Sequence, residues 1–176
     1  MTDAGTLHAI TVVGHDRPGI IAETTDRLAA LGLNIEDTSM TLLRGHFAMT
    51  LVCAGSASDT ELEGALAPLA EDGTLTVTVR EVPREQSPYE TASAWVLTVH
   101  GGDRPGIVSR IAAEVARVGG NITDLTTRLS GDLYLLLAEV ALPADADVEG
   151  LERAVKDAAE ALGVGASLRP AEADEL

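Results

Sequence analysis

An internal repeat constrains this chain more than any other feature. Asp16-Arg17-Pro18-Gly19-Ile20 recurs as Asp103-Arg104-Pro105-Gly106-Ile107, and Asn34-Ile35 recurs as Asn121-Ile122, both at an offset of 87 residues. Gly32 and Gly119 keep the same offset, as do Asp37 and Asp124. Further on the offset becomes 89, with Leu62 on Leu151, Ala65 on Ala154 and Arg80 on Arg169. The second copy therefore carries two extra residues near its second connection. A chain of 176 residues built this way is two modules of about 80 residues each. We expect domains at 6–82 and 93–170, a Pro-rich, charged linker at 83–92 and an acidic tail at 171–176.

Each copy shows the same order of elements. Thr6 to Val13 alternates and is rich in β-branched residues, as a strand does. Asp16-Arg17-Pro18 reads as a helix start, with Asp near the cap and Pro in the first turn. Ile20, Thr24, Leu28 and Leu31 share one helical face, and Ile107, Ile111, Val115 and Val118 repeat it. Gly32 and Gly119 end those helices. Two hairpins follow, one around Arg44-Gly45 and one around Ser130-Gly131-Asp132. Helices are expected near 59–71 and 148–162, with Pro68 shortening the first. Closing strands are expected at 75–82 and 165–169.

The order βαββαβ, twice, is the split βαβ plan. The fold class is therefore α+β: two ferredoxin-like domains, each a four-stranded antiparallel sheet with two helices on one face. In the third strand of each copy both faces read as apolar, Phe47, Met49, Leu51 and Cys53 against Ala48, Thr50 and Val52 in one, and Leu133, Leu135 and Leu137 against Tyr134, Leu136, Ala138 and Val140 in the other. Helices cover only one face. The rest calls for another sheet, so we expect close domain pairing and a homodimer.

Composition removes other classes. Twelve basic residues face 28 acidic ones, for a net charge of −16. Such a surface repels phosphate backbones, and four aromatic residues leave few platforms for bases, so direct nucleic-acid binding is not expected. The lone Cys53 cannot form an internal disulfide and fits a reducing compartment. No apolar run reaches membrane-spanning length, and the first residues lack the pattern of a signal peptide, so the expectation is cytoplasmic.

Catalytic patterns are scarce. His8, His15, His46 and His100 lack metal-ligand spacing, no phosphate-binding glycine loop follows a strand, and the only lysine is Lys156. We expect no enzyme activity, no metal and no cofactor. The duplicated turn is the candidate site. A helix start with glycine and free N–H groups suits a carboxylate. Asp16 and Asp103 place a negative charge beside it, suited to an ammonium group. Asn34 and Asn121 each offer an amide donor pair and an acceptor where the chain enters its second strand. The helix between loop and Asn separates them, so one ligand would need a neighbouring domain to meet both. Together these groups suit a zwitterion. The alternative at each is local: Asp as the helix cap, Pro-Gly as the setting of the turn, and Asn in a left-handed backbone position.

Two copies of strand–Asp-Arg-Pro-Gly-Ile–helix–Gly-x-Asn-Ile–strand resemble tandem ACT domains, small regulatory modules that bind amino acids. The resemblance covers roughly residues 6–82 and 93–170. It implies ligand contacts from Asp16, Arg17, Pro18, Gly19, Ile20 and Asn34, then Asp103, Arg104, Pro105, Gly106, Ile107 and Asn121, in sites between paired domains. Some serine-binding members carry Asn in place of Asp16 and Asp103, and His in place of Gly14 and Gly101. The two-domain layout and the stretch from Asn34 to Met40 resemble the glycine cleavage system transcriptional repressor group. That resemblance implies a non-enzymatic, amino-acid-sensing regulator that acts through a protein partner rather than on DNA. Its rivals are a detached regulatory subunit of an amino-acid-pathway enzyme and a dimerisation module that binds nothing.

Overall fold

The computed structural model describes residues 5–84 and 92–171. Most of the expected linker and all of the acidic tail beyond Ala171 lie outside the described residues. The chain divides into two compact units between Glu85 and Gln86.

The first unit runs β1 (Thr6–His15), α1 (Ile20–Ala30), β2 (Asn34–Leu43), β3 (His46–Gly55), α2 (Asp59–Leu66) and β4 (Leu75–Val82). The second runs β5 (Ser93–Gly102), α3 (Ile107–Arg117), β6 (Asn121–Ser130), β7 (Leu133–Leu142), α4 (Val148–Ala161) and β8 (Val164–Pro170). The strand orders are β2-β3-β1-β4 and β6-β7-β5-β8, and every pairing is antiparallel. Two ferredoxin-like βαββαβ units are therefore present, as the repeat predicts.

Each core lies between the sheet and its two helices. In the first unit Ile10 and Val12 on β1 and Phe47, Met49, Leu51 and Cys53 on β3 pack with Ile20 and Leu28 of α1 and Leu62 and Leu66 of α2. In the second, Leu97, Val99, Leu136, Ala138 and Val140 meet Ile107, Ile111, Val115, Leu151 and Val155. The helical face forecast from spacing is the buried one, with Leu31 and Val118 packed at its margin. Cys53 is fully buried, and burial pushes its thiol upward from its ordinary range. The first hairpin closes with Arg44 and Gly45 both at positive φ, 50° and 84°, which matches the twist of two-residue turns. Pro68 ends α2 early: the helix stops at Leu66 and continues as a 3-10 turn over Ala67–Ala70.

The units differ at one buried position. His8 is 1% exposed, and its Nδ1 lies 2.8 Å from Oδ1 of Asp59. The other Asp59 oxygen accepts from the Glu81 backbone N–H at 3.3 Å, so the pair ties the start of α2 to β1 and β4. The second unit has Trp95 and Val148 at these places. Trp95 is half-buried, with its indole N–H donating to Ser93 Oγ at 2.9 Å.

The two open sheet faces differ in the size of their apolar side chains. Residues directly opposite in an antiparallel pair share a face. In the first unit that face carries Ala9, Thr11 and Val13 of β1 with Ala48, Thr50 and Val52 of β3. Alanine, valine and threonine make it up on these two strands. In the second it carries Leu133, Leu135 and Leu137, exposed by 57, 42 and 45%.

Candidate functional site

The Asp-Arg-Pro-Gly turns lie at the ends of β1 and β5, between strand and helix. Here the structure corrects the local reading of the sequence. α1 begins at Ile20, not at Asp16–Pro18, and its N-cap is Gly19 at φ 91°. α3 begins at Ile107 with Gly106 at φ 93°. Neither Asp16 nor Asp103 caps its helix, since neither helix start has a side-chain cap hydrogen bond. Pro18 and Pro105 precede the cap and set the turn. Glycine is needed at these caps because a positive φ crowds any Cβ. Open space surrounds Gly19, with nothing within 4 Å of where a Cβ would stand.

The other long-loop helices behave differently. Ser58 caps α2 in a reciprocal box with Glu61, and Asp147 caps α4 by accepting from the Gly150 N–H at 2.9 Å. Side chains thus cap the second helix of each unit and leave the first uncapped. The N–H groups of each first turn thus lack a side-chain cap, and the positive end of the helix dipole lies at both turns.

In the first unit the turn borders a cleft of about 440 Å³, a size typical of small-ligand sites. Asp16, Arg17, Gly19 and Ile20 line it together with Ile21 and Ala22 of α1, Met40 of β2 and Phe47 of β3. The sequence pattern named the first four and missed Ile21, Ala22, Met40 and Phe47, while Pro18 and Asn34 are not in the lining. Only the strand register brings Met40, on the helix side of β2, alongside the turn. Ile20 and Ile107 are 1% and 2% exposed, so their side chains belong to the cores. The exposed residues of the first helical turns are Ile21 and Ala22 in α1 and Val108 and Ser109 in α3.

Arg17 bends over the first turn of α1 to Glu23, at 3.0 Å, and Glu23 also holds Arg27 at 3.0 Å. Arg27 in turn donates to the Ala65 carbonyl at 3.0 Å. The hydrogen bond from Arg17, then that from Arg27, holds the Glu23 carboxyl below its usual range. The second unit has Arg110 where the first has Glu23, and Arg104 donates instead to the Asp103 carbonyl at 3.1 Å.

Asn34 and Asn121 open β2 and β6 and sit elsewhere. Asn34 pairs with Ala54, and Asn121 with Ala141, level with the starts of β1 and β5. The turns follow the ends of those ten-residue strands, so turn and Asn within a unit are roughly 25 Å apart. Neither Asn has a positive φ; Arg44 is the one non-glycine residue with that backbone among the described residues. The left-handed alternative for Asn is thereby removed. A bulge follows each Asn by two residues, at Glu36 and Thr123.

Among the described residues no three His, Cys, Asp or Glu side chains gather as metal ligands. No helix there is long and apolar enough to cross a membrane.

The ACT-domain family pattern matches residues 8–80 and 93–168. The chain is 31% identical to the Escherichia coli glycine cleavage system transcriptional repressor, over 84% of this chain and 80% of that protein. Its fold matches a crystal structure of an unknown protein from Galdieria sulphuraria with a TM-score of 0.81 at 26% identity, over 95% of this chain and 99% of that one. It also matches the crystal structure of a protein described as a putative glycine cleavage system transcriptional repressor, with a TM-score of 0.67 at 21% identity, over 93% and 96% of the chains. The two matching domains, in the order and spacing described above, make this chain a member of the ACT-domain family.

Proposed function

We propose that the chain is a non-enzymatic regulatory protein that senses a small amino acid and signals through a protein partner. The observation that carries this reading is the pair of uncapped helix starts, one behind each Asp-Arg-Pro-Gly turn. Such N–H groups suit a carboxylate, and the adjacent Asp16 or Asp103 suits an ammonium group. The separation of turn and Asn within a unit favours a site completed by a second copy, with Asn34 or Asn121 supplied across a homodimer. The likeness to a transcriptional repressor along most of the chain supports a role in transcriptional control of glycine or one-carbon metabolism. The charge of −16 favours action on a DNA-binding protein over contact with DNA.

The mechanism follows from differential affinity. A ligand that binds one arrangement of the dimer more tightly shifts the population toward it, and the partner reads that shift. Calorimetry of the full chain against the twenty amino acids at millimolar concentration tests the reading. We expect heat of binding from a small subset. Silence across the panel overturns it.

A further inference from the structure

We infer that the cleft of the first unit selects an amino acid with an aliphatic or thioether side chain, and that the second unit does not share this preference. The inference rests on the amino-acid-binding reading and names its ligand class. The cleft has a polar end and an apolar end. Asp16 and the uncapped backbone beyond Gly19 form the polar end, where the ammonium and carboxylate of an amino acid would be held. Ile21 and Met40 form the apolar end, over a floor of Phe47. Phe47 is 2% exposed, whereas Ile21 and Met40 are exposed by 44 and 46%, so their apolar surface is available for cover.

The walls hold no hydroxyl or amide side chain. A ligand hydroxyl buried at the apolar end, against Ile21, Met40 and Phe47, would lose its hydrogen bonds to water without replacement. Arg17 is the one cation on the wall, and Glu23 engages its Nη2 at 3.0 Å, which offsets part of its attraction for an acidic ligand. Met40 is unbranched and adapts to side chains of different shape.

The second unit carries other chemistry at the same positions. By strand register Thr127 stands where Met40 does, opposite Leu136 rather than Met49, and Tyr134 stands opposite Gly101 as Phe47 stands opposite Gly14. Val108 replaces Ile21 and Arg110 replaces Glu23. Two hydroxyls and a reversed charge there remove the reason to prefer an aliphatic ligand.

The chain has three methionines, Met1, Met40 and Met49, so methyl-labelled methionine gives three signals that the Met40→Leu variant assigns. The full chain is titrated with leucine, isoleucine, valine and methionine, then with glycine, serine and aspartate, by nuclear magnetic resonance and calorimetry. We expect the Met40 methyl signal to move with the first group at concentrations where the second leaves it unmoved. Burial of a leucine-sized side chain corresponds to a tenfold to hundredfold preference over glycine, within about a factor of three. Met40→Thr should lower leucine affinity several-fold while the protein stays folded. Equal movement with glycine or serine overturns the inference. So does heat of binding with a stationary Met40 signal, or a signal that follows protein concentration rather than ligand. In the first two cases amino-acid binding itself survives; a calorimeter silent across all twenty amino acids instead removes both.

Discussion

Gly14 near the end of β1 and Gly19 at the cap of α1 do different work. Gly19 has a positive φ and empty space around it, so an alanine there meets backbone strain alone, about 1 kcal/mol. Gly14 meets a collision as well, because its Cβ would strike the carbonyl oxygen of Thr74, which already accepts from the His15 N–H at 2.9 Å. Denaturant unfolding should show Gly14→Ala costing more than Gly19→Ala; the reverse order would contradict the geometry. Asn34 is exposed and makes no side-chain role evident within its own unit. Replacing Asn34 and Asn121 by alanine should therefore weaken amino-acid binding in calorimetry and leave the unfolding midpoint nearly unchanged. Unaltered affinity would place the site elsewhere.

At the scale of elements, capping separates structural helices from the candidate binding ones. Ser58→Ala should cost about 1 kcal/mol in unfolding, since it opens the α2 cap. The Glu61 carboxyl is held below its usual range, first by the Ser58 backbone N–H and then by its hydroxyl. A lowered folded value stabilises above the unfolded pKa of about 4.3 and is lost as pH falls through the folded value. The difference between wild type and Ser58→Ala should accordingly shrink below about pH 4. A difference that is constant from pH 7 to pH 3 would count against the box. The order and type of every element were legible in the sequence, because spacing at Ile20, Thr24 and Leu28 and alternation in the strands report burial directly. The start of α1 was not. Asp-Arg-Pro carries the usual signals of a helix start, but a glycine cap at positive φ displaces them by three residues. Met40 and Phe47 were illegible as site residues for another reason. Their proximity to Asp16 arises from pairing across the hairpin and sheet, which no local pattern encodes.

For the whole molecule, duplication has given two units with one fold and different surfaces. The row of Leu133, Leu135 and Leu137 lies on the sheet face that carries no helices. Exposed apolar rows of this kind mark association surfaces. Sedimentation of the full chain should show self-association that Leu135→Asp diminishes without unfolding; identical sedimentation of the variant would exclude this face. Each unit is near the size at which one core alone is only marginally stable, so association should also raise the melting temperature with protein concentration. The exchange of His8 for Trp95 has a practical consequence. The only tryptophan of the chain belongs to the second unit, so its fluorescence follows that unit alone, whereas far-ultraviolet dichroism follows both. Two dichroism transitions with one echoed in fluorescence would mean that the halves melt separately. Superimposable curves would mean that the halves melt together, and the indole would then serve as an optical reporter of events in the half that lacks it.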